Sequence, residues 1–597
     1  MNPFRYSCQR FVYMRSIRSI HSLIKSNERV RINGMMYRPL GMVSNYHIEA
    51  WVKQDINDKL TQEQRDYIYG LARSRSVKVL CFVQNRYQPI LTSTLSFDKW
   101  LPVSKIRNAC MDDHLSDYLE YLNSLENKSI VNGENNQKDN MLTYLSNKGI
   151  SFEQSVYSYI KTLYPGMTIS IGQSYDAGDN NKYTATLDAI KKGYAFIFQA
   201  VLWNYKNMTY GCADILVRSD YIKYILPDFD YQYDIPHYVV FDIKLNHDSD
   251  LLPYIKSQLC LYNQALGTMQ YYEPKNVFIW GKSKIVPLMI TDDIKKNTND
   301  AIEWVRNIST VDESNPLLLP NMKTKNISKC NWLKKKIAKD KHELTQLWNV
   351  SYKHRNIAHN NGITSLNHPQ LTAEKMGITS PIKKAIINKF IKSYQSNDKI
   401  IGNITDLGGW KTNRRNYYLD IETICMKHFT NVSNDFIFMI GVGYMDDNKW
   451  RFEGMVVSEL TENEEKRILQ RLVEIIGNDP TFHWGSHERT IILPKLLKYG
   501  IVNDTRFYNM NKWFMDEKII IKGMLNFKLK SVVDAMREQS LSDIQYGCID
   551  NGLDAMYQAW KIYQGDNIIS DLDDILDYNE KDCYALAEIH KVLKYEH

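Results

Sequence analysis

Two short apolar segments that contain acidic residues constrain the fold of this chain most strongly. In HYVVFDIK, Asp242 and Lys244 are two residues apart, and in YYLDIETI, Asp420 and Glu422 have the same spacing. Successive side chains of a strand point to opposite faces, so each pair shares one face of its strand. We therefore expect two α/β units, each with charged side chains on a buried strand.

The chain has 597 residues, which is too long for one hydrophobic core. Apolar strands and helical periodicity predict strands at 194–203, 213–217, 237–244, 276–280, 417–424 and 436–445 and helices at 151–163, 252–266 and 571–593. Residues 330–400 carry many Lys and lack strong strand signals, which predicts a helical connector. The predicted domains are an N-terminal region without a recognisable fold (1–100), a first α/β domain (101–329), the connector (330–405) and a second α/β domain (406–597).

The composition is typical of a globular intracellular protein. Hydrophobic residues make up 44% and charged residues 24%, which excludes disordered and fibrous classes. No apolar stretch approaches the roughly 18 residues of a membrane span, so no membrane partner is expected. The nine cysteines contain no C-x-x-C pair, which favours a reducing compartment. The net charge of +7 permits a polyanionic partner, although a basic solvated surface explains it equally well.

The segment WGKSK (280–284) resembles a phosphate-binding loop only superficially. That motif requires a second glycine five residues before Gly281, and position 276 is Asn. We therefore expect a simple turn here and no nucleotide partner.

The residues around the first acidic strand suit phosphodiester hydrolysis. Clustered carboxylates that hold Mg²⁺ or Mn²⁺ neutralise charge, and a nearby Lys can orient the attacking water. A lone D-x-K is more often a strand-end ion pair. Here Asp214 enters a second apolar strand, Glu153 follows a predicted helix start near Ser151, and Gln258 and Tyr262 share one face of a later helix.

This order of helix, strand, D-x-K strand and helix resembles the RecB-like branch of the PD-(D/E)XK nucleases. It is most similar to proteins that fuse such a nuclease to a C-terminal RNase H-like exonuclease domain. The matching segments are KGISFEQSV (148–156), ATLDAI (185–190), FQAVLW (198–203), GCADILVR (211–218) and VVFDIK (239–244). The resemblance covers about residues 100–597 and leaves the first hundred unexplained.

The resemblance implies a restriction-endonuclease-like core with a metal bound by Glu153, Asp214 and Asp242. Asp242 and Lys244 would be catalytic, with Lys244 positioning the attacking water. Gln258 and Tyr262 would contact the nucleic acid or brace the site.

The second acidic strand is a stronger metal signal than the first. Two carboxylates with nothing basic between them repel each other unless a cation bridges them, and Asp420 and Glu422 share one face. In the C-terminal segment DYNEKDCYALAEI, Tyr578 and Asp582 are four apart and so share one helical face. Asp582 is expected to complete a two-metal site, and Tyr578 to orient the water.

This second set resembles the DEDD exonucleases of the RNase H-like superfamily, in the subgroup with Tyr before the last Asp (DEDDy). DIET and YNEKDC match the first and last motifs, which implies catalytic roles for Asp420 and Tyr578 and metal ligation by Asp420, Glu422 and Asp582. The middle motif in FHWGSHERTIILPKLLKYG (482–500) lacks the usual Asp. Glu488 is the nearest carboxylate there and the expected fourth ligand.

Some RecB-like relatives hold an iron–sulfur cluster with one early and three late cysteines. Cys110 and Cys330 occupy two of the expected positions, but the other two are Ile327 and Lys336, which cannot bind iron. No iron–sulfur cluster is therefore expected.

The connector resembles a degenerate helix-hairpin-helix segment. Such hairpins bind phosphate through glycine amides, but 349–352 reads Asn-Val-Ser-Tyr. Lys353, His354 and Arg355 are candidate substitutes, and a structural spacer is the alternative.

The sequence thus predicts a Mg²⁺- or Mn²⁺-dependent nuclease, with single-stranded DNA as the favoured partner. An exonuclease role in DNA repair, recombination or replication follows from the resemblance, with a possible helicase partner in trans. The first alternative is an RNA-processing exonuclease that uses the RNase H-like site. The second is a catalytically weak adaptor that binds nucleic acid.

Overall fold

The computed structural model describes most of the chain. The described residues are 30–32, 35–37, 47–49, 78–80, 99–125, 140–233, 236–245, 252–270, 272–324, 330–411, 415–426, 429–430, 434–546, 552–565 and 572–595. They form two compact units: the first unit draws on Met1–Leu122 and Asn147–Asn315, and the second unit on Asn123–Ser146 and Pro316–His597.

The predicted N-terminal region (1–100) lies almost entirely outside the described residues. Its described part includes residues 99–100 and four short strands: β1 (Val30–Ile32), β2 (Met35–Tyr37), β3 (His47–Glu49) and β4 (Lys78–Leu80). The backbones of β1 and β2 pair antiparallel, and those of β3 and β4 pair parallel.

A mixed seven-stranded sheet forms the centre of the first unit. Its strands are β5 (Leu101–Pro102), β6 (Thr168–Ser170), β7 (Phe196–Asn204), β8 (Thr209–Arg218), β9 (Tyr238–Lys244), β10 (Asn276–Gly281) and β11 (Ile285–Met289). The order is β11-β10-β9-β8-β7-β6, with β5 beside β8. β7, β8 and β9 are antiparallel neighbours, whereas β10 runs parallel to β9. The four strands predicted from the sequence are therefore present, and they are adjacent in the sheet.

Seven helices of the described residues belong wholly or in part to the first unit. They are α1 (Arg107–Cys110), α2 (His114–Leu125), α3 (Asn140–Leu163), α4 (Asn180–Lys192), α5 (Ile222–Ile225), α6 (Pro253–Gln270) and α7 (Asp292–Asn307). The helix expected to start near Ser151 begins earlier, at Asn140, because the helical pattern continues into the segment before it. All nine residues of β7 are buried, as expected for a strand that is covered on both faces.

Local capping fixes the ends of these elements. The side chain of Asp179 accepts a hydrogen bond from the Asn181 amide at the start of α4, and Gly193 ends the helix with φ 73°.

The segment WGKSK forms the predicted turn: β10 and β11 make an antiparallel hairpin in which the Gly281 amide donates to the Lys284 carbonyl (3.0 Å).

The connector is helical and belongs to the second unit. Its helices are α8 (Asn331–Asp340), α9 (Tyr352–Asn360) and α10 (Pro381–Gln395). Ser351 and His354 cap the start of α9 reciprocally: the His354 amide donates to the Ser351 hydroxyl, and the Ser351 amide donates to His354 Nδ1. Both of these backbone amides are therefore hydrogen-bonded within the chain. Arg355 is buried against Glu343 with an Nη1–Oε1 distance of 3.0 Å. Arg355 and His354 are therefore not substitutes for the missing glycines, and among the three suggested residues Lys353 alone is exposed.

A five-stranded sheet forms the rest of the second unit. Its strands are β13 (Tyr417–Cys425), β14 (Asp435–Asp446), β15 (Lys449–Val456), β16 (Pro480–His483) and β17 (Arg506–Asn509), while β12 (Ile400–Ile401) and β18 (Ile520–Ile521) pair separately. The order is β15-β14-β13-β16-β17. β13 and β14 are antiparallel, and β16 lies parallel to β13 on its other side.

The helices of this part cover the sheet. They are α11 (Glu462–Ile476), α12 (His487–Lys498), α13 (Met510–Glu517), α14 (Leu529–Glu538), α15 (Gly552–Tyr563) and α16 (Leu572–Tyr595). α16 packs across β13 and β14, and its buried face includes Asn579 and Asp582. The predicted strands at 417–424 and 436–445 and the predicted long helix are therefore confirmed.

Cys110, Cys212, Cys260 and Cys583 are free thiols. Cys110 is buried in the first unit, where burial raises the pKa of its thiol to about 11, and Cys330 is buried in the second. Lys336 lies on α8, and Ile327 lies outside the described residues.

Within the ranges the structure describes, no helix is long and apolar enough to cross a membrane.

Candidate active sites

The first site lies where β8 and β9 pair. Asp242 is buried on β9, and the Nζ of Lys244 lies 2.5 Å from its Oδ2, as expected for two side chains on one face. The Asp214 carboxylate on β8 accepts a hydrogen bond from the Ile243 amide (2.6 Å). The antiparallel register, in which Ile215 pairs with Phe241, therefore places Asp214 beside Asp242.

The electrostatics of the first site are dominated by burial and opposed charges. Burial and the charge of Asp242 raise the pKa of Asp214 well above its ordinary value, although Lys244 opposes this. Burial lowers the pKa of Lys244, but the negative charges of Asp242 and Asp214 raise it by more, so the net effect is an increase. The two neighbouring acids thus favour the cationic form of Lys244.

Glu153 reaches the same site from α3. Its carboxylate accepts hydrogen bonds from the Tyr157 hydroxyl and the Gln199 amide, and its charge acts on Asp214. The Tyr157 hydroxyl also lies 3.2 Å from the Asp214 carbonyl. Glu153, Asp214, Asp242 and Lys244 are therefore brought together, and this group is the first site.

Gln199 is a site residue that sequence reasoning missed. Phe198 pairs with Ile215 and Ala200 with Ala213, so Gln199 lies opposite Asp214, where its φ is 48°. Left-handed backbone is uncommon for a residue with a side chain and often marks a functional position. The available signal was a Gln inside the apolar run FQAVLW.

Gln258 and Tyr262 lie together on α6, with the Gln258 amide donating to the Tyr262 hydroxyl (3.0 Å). Tyr262 is buried, and burial together with the charge of Asp242 raises its pKa. A Cβ on Gly211 of β8 would lie 2.5 Å from the Tyr262 ring. The glycine thus allows the ring to pack against the strand, and Tyr262 braces the sheet beside the site.

The second site lies between β13 and α16. Asp420 and Glu422 leave β13 on one face, and a bulge in the pairing with β14 follows Glu422. Bulges commonly redirect side chains near active sites. The Asn579 amide of α16 donates to Asp420 Oδ2 (2.7 Å), and the Tyr546 hydroxyl donates to Asp582 Oδ1 (2.7 Å).

Four carboxylates converge here. Burial and the charges of Asp582, Glu422 and Glu488 raise the pKa of Asp420 well above its ordinary value. Burial and the charges of Asp582 and Glu488 do the same for Glu422. Burial raises the pKa of Asp582 to about 6, against hydrogen bonds from Tyr546 and Tyr578. We refer to these four acids as the second site.

Glu488, the acid taken from the weak middle motif, lies near the other three. It is buried at the start of α12, and His483 Nδ1 of β16 lies 3.1 Å from its Oε2. Tyr578 lies close enough to Asp582, Glu422 and Asp420 for their charges to raise its pKa, together with burial. All five residues predicted for the second site are therefore neighbours.

The close approach of β14 to α16 depends on Gly441, which pairs with Asp420. A Cβ at this position would lie 1.8 Å from Asn579 Oδ1. We expect Gly441→Ala to displace Asn579, to destabilise the second unit by about 1–3 kcal/mol as for other overpacked positions, and to release the Asp420 carboxylate. Denaturant unfolding and activity measurements on this variant test the expectation, with Gly149→Ala in α3 as a control at a helical position with no neighbours within 4 Å of the added Cβ. Equal stability of Gly441→Ala and the wild type would contradict it.

The donor chemistry of both sites fits a divalent cation, because buried carboxylates that raise one another's pKa are stabilised by positive charge. As placed, however, the side chains of the described residues include no group of three or more His, Cys, Asp or Glu that could hold a metal ion. Instead, Lys244 neutralises Asp242 in the first site, and Asn579 and Tyr546 hold Asp420 and Asp582 in the second.

Residues 417–594 match the family model RNase_H_2, which is described as the RNase H superfamily. The second unit therefore carries a C-terminal RNase H-like domain that contains all four acids of the second site. A comparison with curated proteins found no significant match.

Proposed function

We propose that this chain is a metal-dependent nuclease with two separate carboxylate sites. The observation that carries the proposal is the convergence of Asp420, Glu422, Glu488 and Asp582 inside an RNase H-like domain. An RNase H-like domain suggests nuclease-type activity and nucleic-acid binding. Four buried acids repel one another unless they are protonated or a cation compensates them, and such clusters are typical of catalytic sites.

In the second site, Asp420, Glu422, Glu488 and Asp582 would hold Mg²⁺ or Mn²⁺. When bound, the ion supplies Lewis-acid neutralisation of the charge that develops on the phosphoryl oxygens. Asn579 keeps Asp420 oriented through its 2.7 Å hydrogen bond. Tyr578 is the proposed orienting group for the attacking water, which forms the new phosphorus–oxygen bond as the bond to the leaving oxygen breaks.

In the first site, Glu153, Asp214 and Asp242 are the proposed metal ligands. The order of residues supports a RecB-like PD-(D/E)XK core: Glu153 is on a helix, Asp214 and D-x-K are on adjacent strands, and Gln258 and Tyr262 are on the next helix. The charged Lys244 beside Asp242 suits the positioning of a water molecule. Gln199 orients Glu153 through its amide.

The proposed substrate is single-stranded DNA cut from an end, in DNA repair, recombination or replication. The resemblance of both sites to exonuclease families supports this choice. A helicase acting in trans remains a prediction from the same resemblance. RNA is the second candidate substrate, because the RNase H-like domain is the part of the chain with a family match.

The test is cleavage of an end-labelled single-stranded DNA and an RNA of the same sequence, with Mg²⁺, with Mn²⁺ and with a chelator. We expect DNA to be shortened faster than RNA and cleavage to stop when the metal is chelated. Asp516→Ala is the control variant for substitutions of the site acids, because Asp516 is an exposed acid outside both sites. Faster cleavage of RNA would favour the RNA-processing alternative. Absence of cleavage of either strand with either metal would favour the adaptor.

A further inference from the structure

Tyr546 is a second tyrosine beside Asp582, and no sequence motif includes it. It follows α14 and comes from a different part of the chain than Tyr578, which lies one helical turn before Asp582 on α16. The Tyr546 hydroxyl donates a 2.7 Å hydrogen bond to Asp582 Oδ1. One oxygen of the last acid of the second site is therefore fixed by a residue outside the helix that carries it.

The ring of Tyr546 has a second contact. The Lys530 Nζ lies 4.5 Å from the centroid of the Tyr546 ring and 4.8 Å from that of Tyr578. The two rings are 6.1 Å apart, so the ammonium is near both. Tyr546 thus contacts an acid through its hydroxyl and a cation through its ring.

Lys530 acts on the carboxylates of the second site. Burial and neighbouring acids raise the pKa of Glu422 and Asp582, and the charge of Lys530 opposes both increases. A cation at this position reduces the repulsion among the acids. The two tyrosine rings contact this cation.

We infer that Tyr546 is a positioning residue of the second site, whose hydroxyl orients Asp582 toward the metal and whose ring holds Lys530 near the carboxylates. The inference rests on the proposed function. It gives the two tyrosines different roles: both hydrogen-bond Asp582, but Tyr578 is also the proposed orienting group for the water, whereas Tyr546 acts only on the metal ligand.

The inference is tested with Tyr546→Phe, which keeps the ring, and Tyr546→Leu, which removes both contacts. All proteins carry Asp242→Ala to silence the first site. Mn²⁺ binding is measured by calorimetry, and hydrolysis of the p-nitrophenyl ester of thymidine 5′-monophosphate is measured against Mn²⁺ concentration. This substrate lacks distant nucleotides, so it reports on the site itself.

We expect Tyr546→Phe to weaken Mn²⁺ binding about tenfold, and the Mn²⁺ concentration for half-maximal rate to rise equally, as for other residues that orient metal ligands. Tyr546→Leu should also lower kcat, because Lys530 loses one of its two ring contacts. Tyr584→Phe is the matched control: it removes a hydroxyl that donates to Glu588 (3.2 Å) next to the same small apolar cluster, formed by Val533, Ile544 and Ala585.

Unchanged Mn²⁺ binding in Tyr546→Phe would overturn the inference, even if the melting temperature fell, because a purely structural role lowers stability alone. If Mn²⁺ binding is unchanged in Tyr546→Phe, and the second site with Tyr546 present binds Mn²⁺ and cleaves, the inference fails but the proposed function stands. If the second site neither binds Mn²⁺ nor cleaves with Tyr546 present, the proposed function and the inference both fail.

Discussion

Asp420→Asn is expected to lower hydrolysis by the second site at least about a thousandfold when the first site is silenced by Asp242→Ala. Asparagine preserves the size of the side chain and can still meet the Asn579 amide, which donates to Asp420 Oδ2 at 2.7 Å. It removes the negative charge that faces Glu422, Glu488 and Asp582. Metal-based charge stabilisation contributes several kcal/mol to such reactions, and about 1.4 kcal/mol corresponds to a factor of ten in rate.

The same substitution should leave the fold intact or stabilise it, because one of four mutually repelling acids is removed. Circular dichroism and denaturant unfolding therefore separate loss of chemistry from loss of structure. Asp446→Asn is the control, since Asp446 ends β14 in an exposed ion pair with Arg415. A rate within about threefold of the Asp242→Ala parent would show that Asp420 is not part of the hydrolytic site.

Arg355→Met should have the largest effect on stability. Arg355 and Glu343 are both 2% exposed, and the guanidinium donates to Glu343 Oε1 (3.0 Å) and to the Pro320 carbonyl (2.8 Å). Burial already raises the pKa of Glu343, with Arg355 opposing the shift. Removing the cation leaves a buried carboxylate unpaired, which typically costs about 3–5 kcal/mol. Denaturant unfolding measures the loss in the transition of the second unit.

The double variant Glu343→Leu/Arg355→Met should regain most of this stability, because no unpaired charge remains. Lys353→Met is the matched control on the same helix, and this exposed lysine should change the unfolding free energy by less than about 0.5 kcal/mol. A loss below about 1 kcal/mol in Arg355→Met would mean that the buried pair does not stabilise the connector.

The strands that carry the two sites were predictable because their apolar residues repeat with a clear period. VVFDIK and YYLDIETI form β9 and β13, and Asp242 and Lys244 share a face as the spacing of two requires. The i, i+4 spacing likewise predicted that Tyr578 and Asp582 lie together on one helix. These are local features, so the sequence alone contains them.

The residues that complete each site were harder to predict, because they depend on contacts between distant segments. Gln199 reaches Glu153 from a strand 46 residues away along the chain, through an unusual backbone angle. Tyr546 and Lys530 meet Asp582 and Tyr578 through the packing of α14 and its following loop. No periodic pattern encodes such contacts. For the same reason, the burial of Arg355 was not apparent from its basic neighbours.

The central claim, that the chain has two separate hydrolytic sites, is tested most directly by comparing four proteins on one substrate. The wild type, Asp242→Ala, Asp420→Ala and the double variant are incubated with a 5′-end-labelled single-stranded DNA and Mn²⁺. We predict that each single variant retains part of the cleavage, with a different product pattern, and that the double variant has none. Cleavage by the double variant, or a single variant as inactive as the double, would contradict the account.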